Sequence, residues 1–310
     1  MQFSLYIRSF GTYPVMLEAA HYAEELGLYG VFINDHFMGL GGDPKESYIE
    51  AFTAMTGIGV ETKRIRVGQI TLFNSMRNPA VLAKMISTLD NMTGGRYETI
   101  LGAGWNEPEY KGYDLMERGS GIPEAGERVT RLKEAVQILR GLFDNECFRY
   151  EGKYWKLDDA YNVPQPIQRP MRISVGARQP RMISIAAKYG DGMNGSGNLY
   201  AIRGYLKHLE PELEKNGRKM RDFYLSGFAN VTITKTDAES EAIYKKMAKD
   251  KPIEDLRENE FVGTAENLIE KLREAQDLGV KMMIVIPRAN KIPELKEYVA
   301  KLRDEVFQRL

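Results

Sequence analysis

Short apolar segments alternate with amphipathic stretches along most of this chain. The apolar segments are rich in residues that favour strands, whereas the stretches between them repeat apolar residues at intervals of three and four, as helices do when one face packs on a sheet. One such stripe comprises Ala125, Val129, Leu132, Val136, Leu139 and Phe143, and another comprises Ala265, Leu268, Ile269, Leu272 and Ala275. Repeated strand–helix units of this kind predict a parallel sheet covered by helices.

Eight strands follow from the pattern, and eight parallel strands fit a closed barrel. They are predicted at residues 3–9, 30–34, 66–72, 97–103, 172–176, 191–194, 224–232 and 282–287. Because no Ser/Gly linker or low-complexity tract divides the chain, we predict an α/β fold with one (β/α)8 TIM-barrel domain over residues 1–310, rather than two doubly wound halves.

Three stretches are predicted insertions, at residues 104–123, 145–170 and 235–260. Loops that follow the strands of such a barrel line its active face, so these insertions are expected to shape a substrate pocket. Within the second insertion, residues 148–157 predict a small hairpin.

Charge and cysteine content narrow the classes of partner and compartment. The chain carries 43 Lys and Arg against 43 Asp and Glu, so no overall field would draw it to nucleic acid or to an anionic membrane. The single cysteine, Cys147, fits a reducing compartment. The apolar run at the N-terminus is too short and is interrupted too early to form a signal peptide, and no apolar run in the sequence approaches the length of a membrane span. We therefore expect a cytoplasmic protein.

The end of the fourth predicted strand is the stretch richest in candidate chemistry. Gly102 and Gly104 remove side chains there, so that another backbone or a flat ligand could approach closely. The residues that follow offer stacking, hydrogen-bonding and proton-transfer groups: Trp105, Asn106, Glu107 and Glu109.

A second candidate lies at the end of the second predicted strand, on the catalytic side of a barrel. His36 follows this strand directly, and an imidazole at such a position can exchange protons near neutral pH. Asp35 could hold the residues around His36 in place, or accept a hydrogen bond from an N–H of a ligand. A purely structural hydrogen-bonding role for His36 fits the sequence equally well.

Two further loops follow strands. After the third strand, Asn78 and Pro79 predict a capped helix start. We favour this interpretation over an anion-binding site formed by Arg77, which stands alone in this loop. After the fifth, Gly176 and Ala177 precede a helix start that carries Arg178 and Arg181. A helix N-terminus with small residues and an arginine can hold a phosphate, although a plain loop with surface arginines is an equal alternative.

Several common sites are disfavoured by the sequence. Gly102 and Gly104 are followed by a proline and a loop rather than by a third glycine and a helix, which argues against a dinucleotide fingerprint. The chain also lacks a P-loop lysine motif, a histidine pair at metal spacing and a Gly-x-Ser-x-Gly elbow, so a histidine-rich metal site and a serine hydrolase are improbable.

Taken in order, the motifs resemble those of the bacterial luciferase-like flavin and deazaflavin oxidoreductases, and the similarity runs through nearly the whole chain. The segments that carry it are VFINDHF, VGQITLFNSMRNPAVLAK, GRYETILGAGWNEPEYKGYDL, ERVTRLKEAVQILRGLF, FRYEGKYWKL, PQPIQRPMRISVGARQPRMISIAAKYGDGMN and FVGTAENLIEKLREAQDLGVKMMIVIP. Each is weak alone, but their order is specific.

The resemblance implies a (β/α)8 barrel that binds FMN or coenzyme F-420 (F420) with its ring at the C-terminal mouth. It also implies a cis peptide between Ile70 and Thr71 behind the ring, and a phosphate site at Gly176, Ala177 and Arg178. The NDHF segment is closer to the deazaflavin branch, which favours F420. The implied cofactor-binding residues are Asp35, Ile70, Thr71, Gly104, Trp105, Asn106, Gly176, Ala177 and Arg178.

The leading hypothesis is therefore an F420-dependent oxidoreductase that transfers a hydride between the deazaflavin ring and a small organic substrate. His36 would donate or accept the proton, with Asp35 and Asn106 orienting His36 or the cofactor. Trp105 stands where related alcohol-oxidising deazaflavin enzymes often carry a glutamate, and Glu107 is the candidate substitute.

Two other readings stay open, and the resemblance also bears on partners. One is an FMN-dependent monooxygenase that works with a flavin reductase, and the other is a non-catalytic protein that binds the flavin or deazaflavin. The resemblance further implies a homodimer.

Overall fold

The computed structural model describes residues 1–7, 11–40, 43, 45–116, 118–248, 252–289 and 291–310. Its strands are β1 (Gln2–Tyr6), β2 (Gly30–Ile33), β3 (Arg66–Gln69), β4 (Leu72–Phe73), β5 (Tyr97–Gly102), β6 (Cys147–Glu151), β7 (Lys156–Tyr161), β8 (Ile173–Gly176), β9 (Gly192–Ser196), β10 (Tyr224–Ile233), β11 (Phe261–Gly263) and β12 (Val280–Ile286). Its α-helices are α1 (Tyr13–Glu25), α2 (Ala51–Glu61), α3 (Pro79–Met92), α4 (Glu107–Gly112), α5 (Ala125–Asp144), α6 (Pro180–Tyr189), α7 (Leu199–Lys215), α8 (Asp237–Ala248), α9 (Ile253–Asn259), α10 (Ala265–Asp277) and α11 (Ile292–Glu305).

Parallel strands close into the predicted barrel. The order runs β1, β2, β3 with β4, β5, β8, β9, β10 and β12, and pairing of β12 with β1 completes the circle. Every predicted barrel strand overlaps an observed one. The first ends at Tyr6 rather than at residue 9, and residues 8 and 9 lie outside the described residues.

The third predicted strand is divided in two. β3 pairs with β5 at Val67 and Gly68, and β4 pairs with β5 again at Leu72 and Phe73. Between them lies the cis peptide Ile70–Thr71, at the position that the sequence comparison with the luciferase-like enzymes predicted.

The two later insertions form local structure. The predicted hairpin is the antiparallel pair β6 and β7, and the buried carboxylate of Glu134 on α5 accepts hydrogen bonds from the amides of Lys153, Tyr154 and Trp155 at its turn. Residues 235–260 include α8 and α9, and β11 follows them. This short strand, which the sequence pattern did not predict, pairs with the end of β10 where β10 extends beyond the barrel.

A charged cluster closes the N-terminal end of the barrel. Glu98 on β5 is buried and bonded to Arg66, Arg172 and the Tyr29 hydroxyl. Burial raises the pKa of Glu98, but the two guanidinium groups outweigh it, so the pKa lies below its ordinary value. Above this cluster the barrel is filled by Phe32, Ile70, Ile100, Met282 and Ile284. No α-helix in the described ranges is both long and apolar enough to cross a membrane.

Candidate active site

His36 and Glu109 meet at the C-terminal end of the barrel. His36 follows β2, and Glu109 lies on α4, the short helix after β5. His36 Nδ1 is 2.7 Å from Glu109 Oε2, and the Phe37 amide donates to Glu109 Oε1 at 2.5 Å. Both side chains are buried, that of Glu109 completely. The pair therefore ties the loop after β2 to the loop after β5.

The Glu109 carboxylate is held in its ionised form. Burial raises its pKa, but hydrogen bonds from His36, from the Phe37 amide and from the Asn106 side chain outweigh burial, so the pKa lies below its ordinary value. The sequence offered Glu109 as one polar group among several. Its pairing with His36, 73 residues away in the chain, has no signal in the sequence pattern.

Two aromatic rings lie beside His36. The Phe73 and Trp105 rings stand edge-on to the imidazole, with centroids at 5.9 Å and 5.7 Å. Trp105 is 61% exposed, whereas Phe73 is buried. One wall around His36 is thus an aromatic face open to solvent, which could stack on a planar ligand.

Asp35 is engaged within the protein. Its carboxylate accepts hydrogen bonds from Arg77 Nη1 at 2.6 Å, from Arg77 Nη2 at 3.1 Å and from the Phe73 amide at 2.9 Å. Arg77 also bonds to Glu50. Burial lowers the pKa of Arg77, but Asp35 and Glu50 outweigh it and raise the pKa. Asp35 therefore fixes the end of β4, and the Arg77 guanidinium is held by carboxylates of the protein itself.

Asn78 caps α3, as the sequence predicted. Its Oδ1 accepts from the Ala80 amide at 2.9 Å and from the Val81 amide at 3.3 Å. Nearby, the Asn74 side-chain oxygen is buried and has no hydrogen-bond partner in the part of the chain that the structure describes. A buried acceptor of this kind is normally satisfied, so a donor from a ligand or water would fit it.

The glycines at the mouth accommodate side chains of the protein. A Cβ atom at Gly102 or at Gly176 would overlap the Thr71 side chain. Gly104 has φ +78°, and a Cβ there would overlap the Phe73 ring. The close approach that the sequence predicted at Gly102 and Gly104 is thus made by Thr71 and Phe73.

Asn106 and Glu107, at the start of α4, differ in exposure. Asn106 is buried beside Glu109. The Glu107 side chain is 53% exposed and forms an ion pair with Lys111 at 2.6 Å. Of the glutamates on α4, it is Glu109 that contacts His36.

The predicted phosphate loop borders a basic cavity. The Ala177 amide donates to the Asn194 carbonyl at 2.9 Å, so the barrel itself uses that donor. Arg178 is exposed and lines a cavity of about 410 Å³ together with Ser196, Tyr200, Arg203 and Lys207. Arg181 instead donates to Gly126 and Thr130 on α5.

Similar proteins include an F420-dependent dehydrogenase and a monooxygenase. An F420-dependent glucose-6-phosphate dehydrogenase of Kineococcus radiotolerans is 34% identical over 206 residues, which is 63% of this chain and 57% of that protein. The pyrimidine monooxygenase RutA of Enterobacter cloacae is 31% identical over 179 residues, which is 57% of this chain and 47% of that protein. The chain thus spans about half the length of these curated relatives.

Solved structures share the fold at low sequence identity. An F420-dependent secondary alcohol dehydrogenase has a TM-score of 0.80 and 19% identity over 98% of both chains. The monooxygenase RslO1 of Streptomyces bottropensis has a TM-score of 0.79 and 18% identity over 100% of this chain and 99% of its own. Residues 6–250, most of the chain, match the luciferase-like monooxygenase family model. The chain therefore belongs to the luciferase-like monooxygenase family.

Proposed function

We propose that the protein is an F420-dependent oxidoreductase that transfers a hydride between the deazaflavin ring and a small organic substrate. The observation that carries this proposal is His36, a proton-exchanging group held by a buried carboxylate at the barrel mouth beside the exposed Trp105. Similarity to F420-dependent glucose-6-phosphate dehydrogenases of several bacteria supports it.

The chain offers groups that fit the two ends of such a cofactor. Arg178 and Lys207 have no hydrogen bond or ion pair to any described residue, and both face the basic cavity, where they would attract a phosphate. The N-terminus of α7 adjoins this cavity and favours an anion. At the mouth, the unpaired Asn74 oxygen could accept an N–H from the ring.

The remaining predicted residues would act in different ways. Gly176 and Arg178 would hold the phosphate. Arg178 would bind it through its charge, because the Ala177 amide already donates to the Asn194 carbonyl. Ile70, Thr71 and Gly104 would lie against the ring, and Asn106 would support Glu109. Asp35 would contribute by fixing the end of β4.

Proton transfer would be the task of the protein. When bound, the cofactor would supply the hydride chemistry. His36 would take the proton that leaves the substrate, or return it in the reverse direction, while Trp105 would shield the ring face from water. Glu107 stays a second candidate acid, although its pairing with Lys111 on the exposed side of α4 gives it less support.

Binding and turnover together test the proposal. We expect F420 to raise the melting temperature of the purified protein more than FMN does. In a substrate screen with F420, His36→Ala should retain cofactor binding and lose about 100-fold or more in kcat, because a general acid or base contributes at least that factor. Turnover at the wild-type rate by His36→Ala would refute the assignment of His36.

A second candidate is an FMN-dependent monooxygenase with a flavin reductase partner. Its support is the 31% identity to pyrimidine monooxygenase RutA. A response to FMN but not to F420 in the same titration would favour it. Binding of either cofactor without turnover of any substrate would instead favour a non-catalytic binding protein.

We further propose that the protein is a cytoplasmic homodimer. Its one cysteine, Cys147, is free, which fits a reducing compartment. For the dimer, an apolar groove of about 260 Å³ lies between α2 and α3, and the exposed side chains of Val81 and Met92 line it. Contiguous apolar surface of this kind is typical of protein interfaces.

A further inference from the structure

We propose that Glu109 is a positioning residue that fixes the tautomer of His36, so that Nδ1 carries the proton and Nε2 is the atom that exchanges a proton with the substrate. The part that concerns the substrate rests on the proposed function. The tautomer itself is a property of the cofactor-free protein and can be tested without any activity.

The direction of the hydrogen bond follows from the state of the carboxylate. Glu109 Oε2 lies 2.7 Å from His36 Nδ1, and the pKa of Glu109 is lowered despite burial, so the carboxylate is ionised. An ionised carboxylate can only accept hydrogen bonds. Nδ1 must therefore be the donor, and in the neutral imidazole the lone pair then resides on Nε2.

The carboxylate cannot easily turn away from the ring. Its second oxygen, Oε1, accepts the Phe37 amide at 2.5 Å, and the Asn106 side chain provides another hydrogen bond. The Glu109 side chain has no exposed surface. Both oxygens are thus committed, and Phe37 is the residue that directly follows the histidine, so the carboxylate holds both the ring and its backbone.

A 180° flip of the imidazole about its Cβ–Cγ bond would replace Nδ1 by Cδ2 and break the hydrogen bond to Glu109. The rings of Phe73 and Trp105 stand edge-on to the imidazole. Among the described residues no hydrogen-bond partner reaches Nε2. Nε2 is consequently the nitrogen left for a ligand.

The arrangement suits a proton acceptor that becomes charged. As a substrate hydroxyl is oxidised to a carbonyl, its carbon loses a hydride, which the cofactor would take, and its oxygen loses a proton, which Nε2 would take. The resulting imidazolium would lie against the Glu109 carboxylate, which stabilises it. In the reverse direction the same proton returns from Nε2 to the carbonyl oxygen.

The direct test is ¹⁵N NMR of the full-length, cofactor-free protein labelled at histidine. The chain has three histidines, His21, His36 and His208, so a His36→Gln variant assigns the signals of interest. At a pH of about 8.5, where an imidazole is ordinarily neutral, we expect the Nδ1–H tautomer of His36 to dominate in the wild type. Dominance of the Nε2–H tautomer in the wild type would overturn the proposal on its own.

Glu109→Gln keeps the shape of the side chain and removes its charge. We expect this variant to raise the fraction of the Nε2–H tautomer, and to lower kcat about 100-fold with a smaller change in KM, because the proton-accepting lone pair is no longer presented. An unchanged tautomer in a folded Glu109→Gln protein would contradict the proposal even if activity fell.

Glu134→Gln is the matched control. Glu134 is also a buried glutamate that accepts backbone amide hydrogen bonds, but those amides belong to the hairpin turn. We expect this variant to lose stability while the His36 tautomer stays as in the wild type. If the tautomer responds only to Glu109→Gln and yet no substrate is turned over with F420, the positioning role stands and the proposed function fails.

Discussion

The buried polar residues at the two ends of the barrel differ in whether they keep an atom free to bind a ligand. At the N-terminal end, Glu98 is enclosed by Arg66 and Arg172. At the C-terminal end, Asp35 is enclosed by Arg77 and the Phe73 amide, whereas His36 keeps one nitrogen without a partner among the described residues. Of these two neighbouring residues at one strand end, Asp35 is thus engaged within the protein, and His36 keeps a nitrogen for the ligand that we propose.

The sequence could locate these residues but not their partners. A charged or titratable residue directly after a predicted strand is expected at the barrel mouth, which is how Asp35 and His36 were found. Their partners Arg77 and Glu109 are 42 and 73 residues away in the chain. Which of several nearby polar groups makes such a contact is decided by the packing of loops, and a single sequence carries no pattern for it.

The Glu98 cluster predicts a pH-dependent contribution to stability. Because the pKa of Glu98 is lower in the folded protein than in the unfolded chain, its stabilising effect is complete above the unfolded value of about 4.3 and is lost as the pH falls through the folded value. Glu98→Gln leaves the half-buried Arg66 and Arg172 without their buried carboxylate, so we expect a loss of about 3 kcal/mol in the free energy of unfolding at pH 7.

Urea denaturation at pH 7 and at successively lower pH values measures this effect. The difference between wild type and Glu98→Gln should shrink as the pH is lowered below about 4. Glu151→Gln, which removes an exposed ion pair with Lys156, is the control and should change little at any pH. A constant difference between wild type and Glu98→Gln at all pH values would contradict the assignment.

At the scale of secondary structure, Gly104 leaves room for the Phe73 ring beside the loop that follows β5. Gly104 has φ +78° and a Cβ there would overlap the Phe73 ring, whereas Gly94 has φ +66° and open space around it. Gly94→Ala should therefore report the backbone cost of a left-handed residue alone, about 1 kcal/mol. Gly104→Ala should cost more, because Phe73 must also move.

Chemical denaturation of both variants separates the two effects. The excess loss of stability in Gly104→Ala over Gly94→Ala measures the clash with Phe73. Since Phe73 also contacts His36, the excess should be accompanied by reduced turnover in Gly104→Ala but not in Gly94→Ala. Equal losses of stability in the two variants would show that the Phe73 contact is unimportant.

The hydrophobic pattern predicted those strands and helices that are long enough for their apolar residues to show a regular spacing. All eight barrel strands were found in this way, because most of them bury a run of apolar residues. β11 was missed since its three residues, Phe261–Gly263, are too few to display alternation. The division of the third strand into β3 and β4 was not predicted, whereas the cis peptide Ile70–Thr71 that lies between them was implied by the resemblance to the luciferase-like family and not by periodicity.

For the whole molecule, the apolar face of α2 and α3 predicts the mode of association. Phe52 and Thr56 on α2 and Val81, Met85 and Met92 on α3 line the same groove. In a two-fold symmetric dimer each residue of such a face meets the equivalent face of the partner. A single substitution therefore enters the interface twice.

If the protein is the homodimer that we propose, Val81→Asp should convert it to a monomer, because two carboxylates would be buried in an apolar interface. Val81 is the third residue of α3, where an aspartate suits the helix terminus, so folding should be preserved. Val15→Asp is matched, since Val15 is the third residue of α1 and is also exposed. Light scattering after size-exclusion chromatography should give about twice the 35.3 kDa chain mass for the wild type and for Val15→Asp, and the chain mass for Val81→Asp. A dimeric Val81→Asp protein would place the interface on another face.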